Sequence, residues 1–215
     1  MSNIISIDPS LTSTAVVIKT NNKYKYFSFF KDFNEKNKWC KPLLPFVQFE
    51  KVNFTSTNNF SDNEILKLIQ YEDLALRIVY ALKNYLNQNT IVKIESYSQQ
   101  SKNGKYQDLI TFGTLLRYYL YKKTKKLYFF PPKEVKKKTA ELVYGVDKKG
   151  VARNFEKKAG GNFNKWDMFY TLVDRKDDSE LSKYCIDNLE EIKKNKSVPK
   201  PLEDLIDAYF LNLIE

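Results

Sequence analysis

Apolar positions along this chain recur with two periods, and the switches between them predict the elements. Ile4–Ile7 is a short apolar run closed by Asp8-Pro9, the pattern of a buried strand. A polar turn over 10–14 leads to a second strand at 15–19. The Asn21-Asn22 turn leads to a third at 24–30, where apolar and polar positions alternate. The chain thus opens as an antiparallel meander. Pro42 and Pro45 interrupt the next stretch, and 46–54 alternates like an extra strand inside an insertion at about 31–60. Ser61 and Glu64 have capping-box spacing. Ile65, Leu68, Ile69, Leu76, Val79, Leu82 and Leu86 follow at helical intervals, predicting a helix over about 62–87.

Ile91–Ile94 is a fourth strand ending at Glu95, and a helix between strands implies a parallel crossover. A second helix is predicted at 107–124 and a fifth strand at 126–130, stopped by Pro131-Pro132. A basic helix follows at 133–144, ended by Gly145. Residues 146–200 are polar, with a helix expected within 179–194, and Pro199 and Pro201 introduce a last helix at 202–214. The expected fold class is α/β: a mixed five-stranded sheet, three strands in the meander and the rest parallel, flanked by helices. One domain spans 1–215, with insertions at about 31–60 and 155–198.

Charge changes this picture in one region. The 215 residues carry a net +10, but 101–158 alone carries +11 while 159–215 is net negative. A local basic excess suits a polyphosphate partner, and it equally suits a solvated lysine-rich surface. The chain has no histidine and two distant cysteines, Cys40 and Cys185. That excludes a Ser-His-Asp triad, a Cys-His dyad and any His-ligated zinc site. No signal-peptide pattern or long apolar run is present, so a soluble, intracellular protein without membrane contact is expected. The abundance of Lys, Asn, Ile and Tyr has the flavour of a phage or viral protein acting in its host cell.

Four acids stand out by position. Asp8 ends the first strand and Glu95 the fourth, while Asp204 and Asp207 lie three apart on one face of the last helix. Singly, each reads as a turn residue, a strand-end residue or a complement to the helix dipole. Jointly, carboxylates gathered at the ends of neighbouring strands repel unless cations sit between them. All-oxygen ligands select Mg²⁺, with Mn²⁺ able to substitute. Two such ions per active site, about 4 Å apart, are therefore expected, the usual device for phosphodiester hydrolysis.

These segments resemble a known family. IISIDPSLTSTAVVI resembles the opening of RuvC-type Holliday-junction resolvases, IVKIES their strand ending in Glu, and DLIDAYF their closing Asp-x-x-Asp-Ala helix. The resemblance runs over roughly the whole chain. It implies a ribonuclease H-like fold, a homodimer, Mg²⁺, and cleavage of four-way junctions or other branched DNA. It makes Asp8, Glu95, Asp204 and Asp207 both the catalytic residues and the metal ligands. FFPPKEVKKKTAELVYGVDKKG resembles the family's DNA-contacting stretch, with Lys136 and Lys149 at the matching positions and Lys137, Lys138 and Lys148 beside them. Tyr97 is the nearest match to an aromatic wedge, one position out of register. Ser10 stands where the family has Gly after Asp-Pro, and 31–60 and 155–198 are longer than in bacterial members. The helix at 107–124 is the candidate dimer surface and equally a candidate core helix.

Two other readings stay open. An actin-like ATPase relative would also begin with a strand, Asp and a Thr-rich turn, but needs a second domain and glycines that 10–14 lacks. A non-catalytic nucleic-acid-binding module of the same fold would have no use for four acids that weaken DNA binding.

Overall fold

The computed structural model describes residues 3–97, 105–145 and 163–214. Its strands are β1 (Ile4–Asp8), β2 (Ser13–Thr20), β3 (Lys23–Phe30), β4 (Val47–Lys51), β5 (Ile91–Glu95) and β6 (Lys126–Phe130). Asn21 and Asn22 both take left-handed backbone angles, φ 51° and 61°, as a two-residue hairpin between right-twisted strands requires. The register Thr20↔Lys23 through Ser13↔Phe30 follows. The turn from β1 to β2 is held internally: Thr14 Oγ1 donates to the Ser10 carbonyl (2.6 Å) and accepts from the Ser10 N–H (3.1 Å).

The sheet has six strands in the order β4-β3-β2-β1-β5-β6. The five-strand expectation is therefore short by one. The alternating stretch after Pro45 does form an extra strand. It pairs in parallel with β3, extending that edge of the sheet, with Tyr26↔Val47 through Phe30↔Lys51 in register. Without β4 the order is β3-β2-β1-β5-β6 with only β2 reversed, the ribonuclease H-like arrangement.

The helices are α1 (Phe60–Ala81), α2 (Lys105–Tyr121), α3 (Pro132–Tyr144), α4 (Lys165–Arg175), α5 (Glu180–Asp187), α6 (Leu189–Lys193) and α7 (Leu202–Leu213). The start of α1 differs from the capping-box expectation at Ser61. Asn59 caps it instead, its side chain accepting from the Asp62 N–H at 3.1 Å. At the other end Gly145, φ 68°, stops α3 as its sequence position predicts.

Strand alternation sorts the core into two layers. Ile5, Ile7, Val16, Ile18, Val92 and Ile94 face α1 and α2, meeting Leu74, Ile78, Phe112, Leu116 and Leu120. Ala15 and Val17 face the other way, toward Leu205, Tyr209, Phe169 and Leu181 of α4, α5 and α7. Much of that second layer comes from 163–198, all of which lies in the stretch expected to be an insertion. Full burial of such side chains contributes about 1.5–3 kcal/mol each, so this segment is a structural part of the domain. Among the described residues no helix is long and apolar enough to cross a membrane.

Candidate active site

In β1 and β5 the apolar residues alternate with Ser6, Asp8, Lys93 and Glu95, so these four share the face covered by α7. A parallel register of Ile4↔Ile91 through Ile7↔Ile94 sets Asp8 and Glu95 at adjacent strand ends. α7 is tied to that face by buried polar contacts. Ser6 Oγ donates to the Ala208 carbonyl (2.6 Å). Asn212 Nδ2 reaches the Ile4 carbonyl (3.1 Å), Ser6 Oγ (3.2 Å) and the Val17 carbonyl (3.2 Å). Lys93 Nζ donates to the Asn212 carbonyl at 3.0 Å and to that of Ile214.

These contacts fix direction as well as position. The helix advances about 1.5 Å per residue and a strand about 3.3 Å. With Lys93 at residues 212–214 and Ser6 at Ala208, α7 runs against β1 and β5 and carries Asp207 and Asp204 toward Glu95 and Asp8. The charges agree with the helix dipole, the cation at its carboxyl end and the acids in its first half.

Asp204 and Asp207 are 2% and 3% exposed. Each gives one oxygen to a lysine. Lys165 Nζ meets Asp207 Oδ2, and Lys200 Nζ meets Asp204 Oδ1. Both lysines also approach Glu203 Oε1, at 3.0 and 3.5 Å. The remaining oxygens, Asp204 Oδ2 and Asp207 Oδ1, are buried with no hydrogen-bond partner. Lys165 is the first residue of α4, and a reciprocal cap holds it there. Asn164 Oδ1 accepts from Trp166 N–H (2.8 Å) and Asp167 N–H (3.1 Å), while Asn164 N–H donates to Asp167 Oδ2 (2.6 Å).

The four acids share one electrostatic neighbourhood. Burial raises Asp8 well above the ordinary carboxylate range, and the charges of Glu95, Asp204 and Asp207 push the same way against Lys165. Glu95 is pushed up to about 8 by burial and by Asp207, with Lys165 and Lys136 opposing. Burial also raises Asp204 and Asp207 despite their lysines. Lys165 is raised: burial works against its charge, but Asp207, Asp8 and Glu203 outweigh it. Among the described residues no three acidic side chains form a ready-made metal cage. The donor set nonetheless fits a hard divalent cation, because it is all oxygen and two buried carboxylate oxygens lack any partner.

The other candidates divide. Lys136, half-buried on α3, opposes the charge rise on Glu95 and Asp207, so it faces the acids. Lys137 pairs with Glu141 (3.7 Å) and Lys138 with Glu134 (3.7 Å), along their own helix. Lys148 and Lys149 lie outside the described residues. Tyr97 is folded onto α2: a side chain at Gly113 would overlap its hydroxyl, and the Arg117 guanidinium lies 4.4 Å from its ring centre. Phe112, Leu116 and Leu120 of α2 are core residues under α1, which leaves that face of α2 unavailable as a dimer surface.

Sequence reasoning missed Lys165, Lys200, Glu203, Ser6, Lys93 and Asn212. Two signals were present. Lys200 stands three and four residues before Glu203 and Asp204, the spacing of helical ion pairs. Ser6 and Lys93 each stand two residues before a strand-end acid, hence on its face.

No protein-family model matches the sequence, and no curated protein matches it. Among solved structures, the chain is similar to T. thermophilus RuvC in complex with Holliday junction substrate, with a TM-score of 0.47 and 10% identity over 98% of this chain and 92% of that one. It is also similar to a Thermus thermophilus RuvC structure, with a TM-score of 0.41 and 11% identity over 97% and 92%.

Proposed function

We propose that this protein is a divalent-metal-dependent endonuclease that cuts four-way junctions or other branched DNA by phosphodiester hydrolysis. One observation carries the reading: acids from β1, β5 and α7 converge, and two of them keep a buried carboxylate oxygen without a partner. Asp8, Glu95, Asp204 and Asp207 would hold Mg²⁺ or Mn²⁺. Bound there, the cation would supply activation of water and stabilisation of charge on the scissile phosphate.

The chain's own residues supply the rest. Lys136 faces the cluster from α3 and attracts the phosphate to it. Lys137 and Lys138, with Lys148 and Lys149 further along, bind the backbone on either side without reading sequence. Ser6, Lys93 and Asn212 hold α7, so the aspartates keep their place as DNA arrives and leaves. A homodimer would place two such sites on a two-fold axis and give paired cuts. Its surface is the outer side of α1, where Ile65, Leu68, Ile69 and Leu76 are exposed.

The deciding experiment compares cleavage of labelled four-way junction, flap, duplex and RNA–DNA hybrid in Mg²⁺, in Mn²⁺ and in chelator. Metal-dependent cutting that favours the junction is expected. One observation favours a second reading, a non-catalytic nucleic-acid-binding module: Lys165 and Lys200 already neutralise Asp207 and Asp204 from within. Junction binding with no cutting of any substrate would select that module.

A further inference from the structure

We propose that the acid cluster holds a single divalent cation per chain, with Lys165 and Lys200 together supplying the positive charge that a second ion would bring. This rests on the reading of the cluster as a metal centre.

Charge favours one ion over two. Five carboxylates gather here: Asp8, Glu95, Glu203, Asp204 and Asp207. Three ammonium groups face them: Lys136, Lys165 and Lys200. Fully ionised, the cluster has a formal charge of −2, which one divalent cation cancels. A second would leave two positive charges in a largely desolvated space, where uncompensated charge is expensive. A scissile phosphate adds one negative charge, still short of what a second ion needs.

Geometry agrees with charge. Lysine and cation need not compete for the same atoms. Lys165 occupies Asp207 Oδ2 and Lys200 occupies Asp204 Oδ1, while Asp207 Oδ1 and Asp204 Oδ2 stay free. Each buried aspartate thus has one oxygen for an ammonium group and one for an ion. Both lysines are part-exposed but held by their surroundings: Lys165 opens α4 under a reciprocal cap, Lys200 lies one turn before Asp204, and both approach Glu203 Oε1. Five acids without these lysines would carry enough negative charge for two ions; with them, they carry enough for one.

The test is stoichiometry, read without any cleavage assay. Metal-free full-length protein is titrated with Mn²⁺, and bound ions are counted by calorimetry and by the paramagnetic resonance of free Mn²⁺. Wild type should saturate at one ion per chain, and the double variant Lys165→Gln/Lys200→Gln should take up a second. Each single variant, which keeps one lysine and guards against failure of the double variant to fold, should bind its first ion about tenfold more tightly or better. Two ions on wild type, a double variant with native circular dichroism that stops at one, or single variants of unchanged affinity would overturn the proposal and leave the metal centre standing. No Mn²⁺ on any folded variant would overturn the metal centre itself, and this inference with it.

Discussion

The two faces of the sheet solve opposite problems. Toward α1 and α2 the strands present the apolar Ile5, Ile7, Val16, Ile18, Val92 and Ile94. Toward α7 the same strands present Ser6, Asp8, Lys93 and Glu95, and the helix answers with Asp204, Asp207 and Asn212. The apolar face gains stability from area alone, independent of pH and ions. The polar face holds like charges together and depends on lysines and, on our reading, a cation to stay closed. Both faces bury apolar side chains, but only the α7 side also gathers acids, and substitutions should separate the two contributions.

The largest separation should come from Asp8→Asn. Cleavage should fall by about three orders of magnitude or more while junction binding in a gel-shift assay persists, since a carboxylate near phosphate is lost. Wild-type cutting by this variant would refute the site. On the opposite face, Phe112→Ala should cost about 3–5 kcal/mol in urea unfolding and leave the Mn²⁺ affinity of the folded fraction alone. Lys93→Met should do both things modestly: about 1–3 kcal/mol of stability, for the carbonyls of Asn212 and Ile214 left unpaired, and weaker Mn²⁺ binding as α7 loosens.

pH should sharpen the contrast further. Glu95 titrates at about 8 in the folded chain against an ordinary 4.5. Between those values the folded state holds a proton that the unfolded state has released, so folding stability falls as pH rises through that window. Asp8, Asp204 and Asp207 shift in the same direction. Metal-free protein should therefore melt at progressively lower temperature from pH 5 to pH 8, and saturating Mg²⁺ should flatten the slope. A metal-free melting temperature that climbs over that range would contradict the crowded-acid picture. The smallest effect belongs to Lys137→Gln. Stability should change by less than about 0.5 kcal/mol, and the salt dependence of DNA binding should drop by about one phosphate contact.

What the sequence disclosed follows from locality. The meander, the strand ends at Asp8 and Glu95, and the helix bearing Asp204 and Asp207 are written in runs of a few residues whose period names the element and the face. β4 was visible as alternation, but its partner was not, because pairing with β3 across Pro42 and Pro45 is a long-range choice. Lys165 was invisible for the same reason: it meets Asp207 across 42 positions, from a stretch whose polarity suggested a surface insertion. Lys200 was legible and overlooked, since its helical spacing to Glu203 and Asp204 is an ordinary ion-pair signal. Tyr97 was singled out for its position near Glu95, and its side chain lies against Gly113 and the Arg117 guanidinium.

The anchoring of α7 by Asn212 also bears on how the molecule is made. All six strands precede α7 in the chain, so a refolding molecule can assemble its sheet before the helix docks. Until Asn212 clasps the first two strands, such a molecule holds only half of the acidic quartet in place.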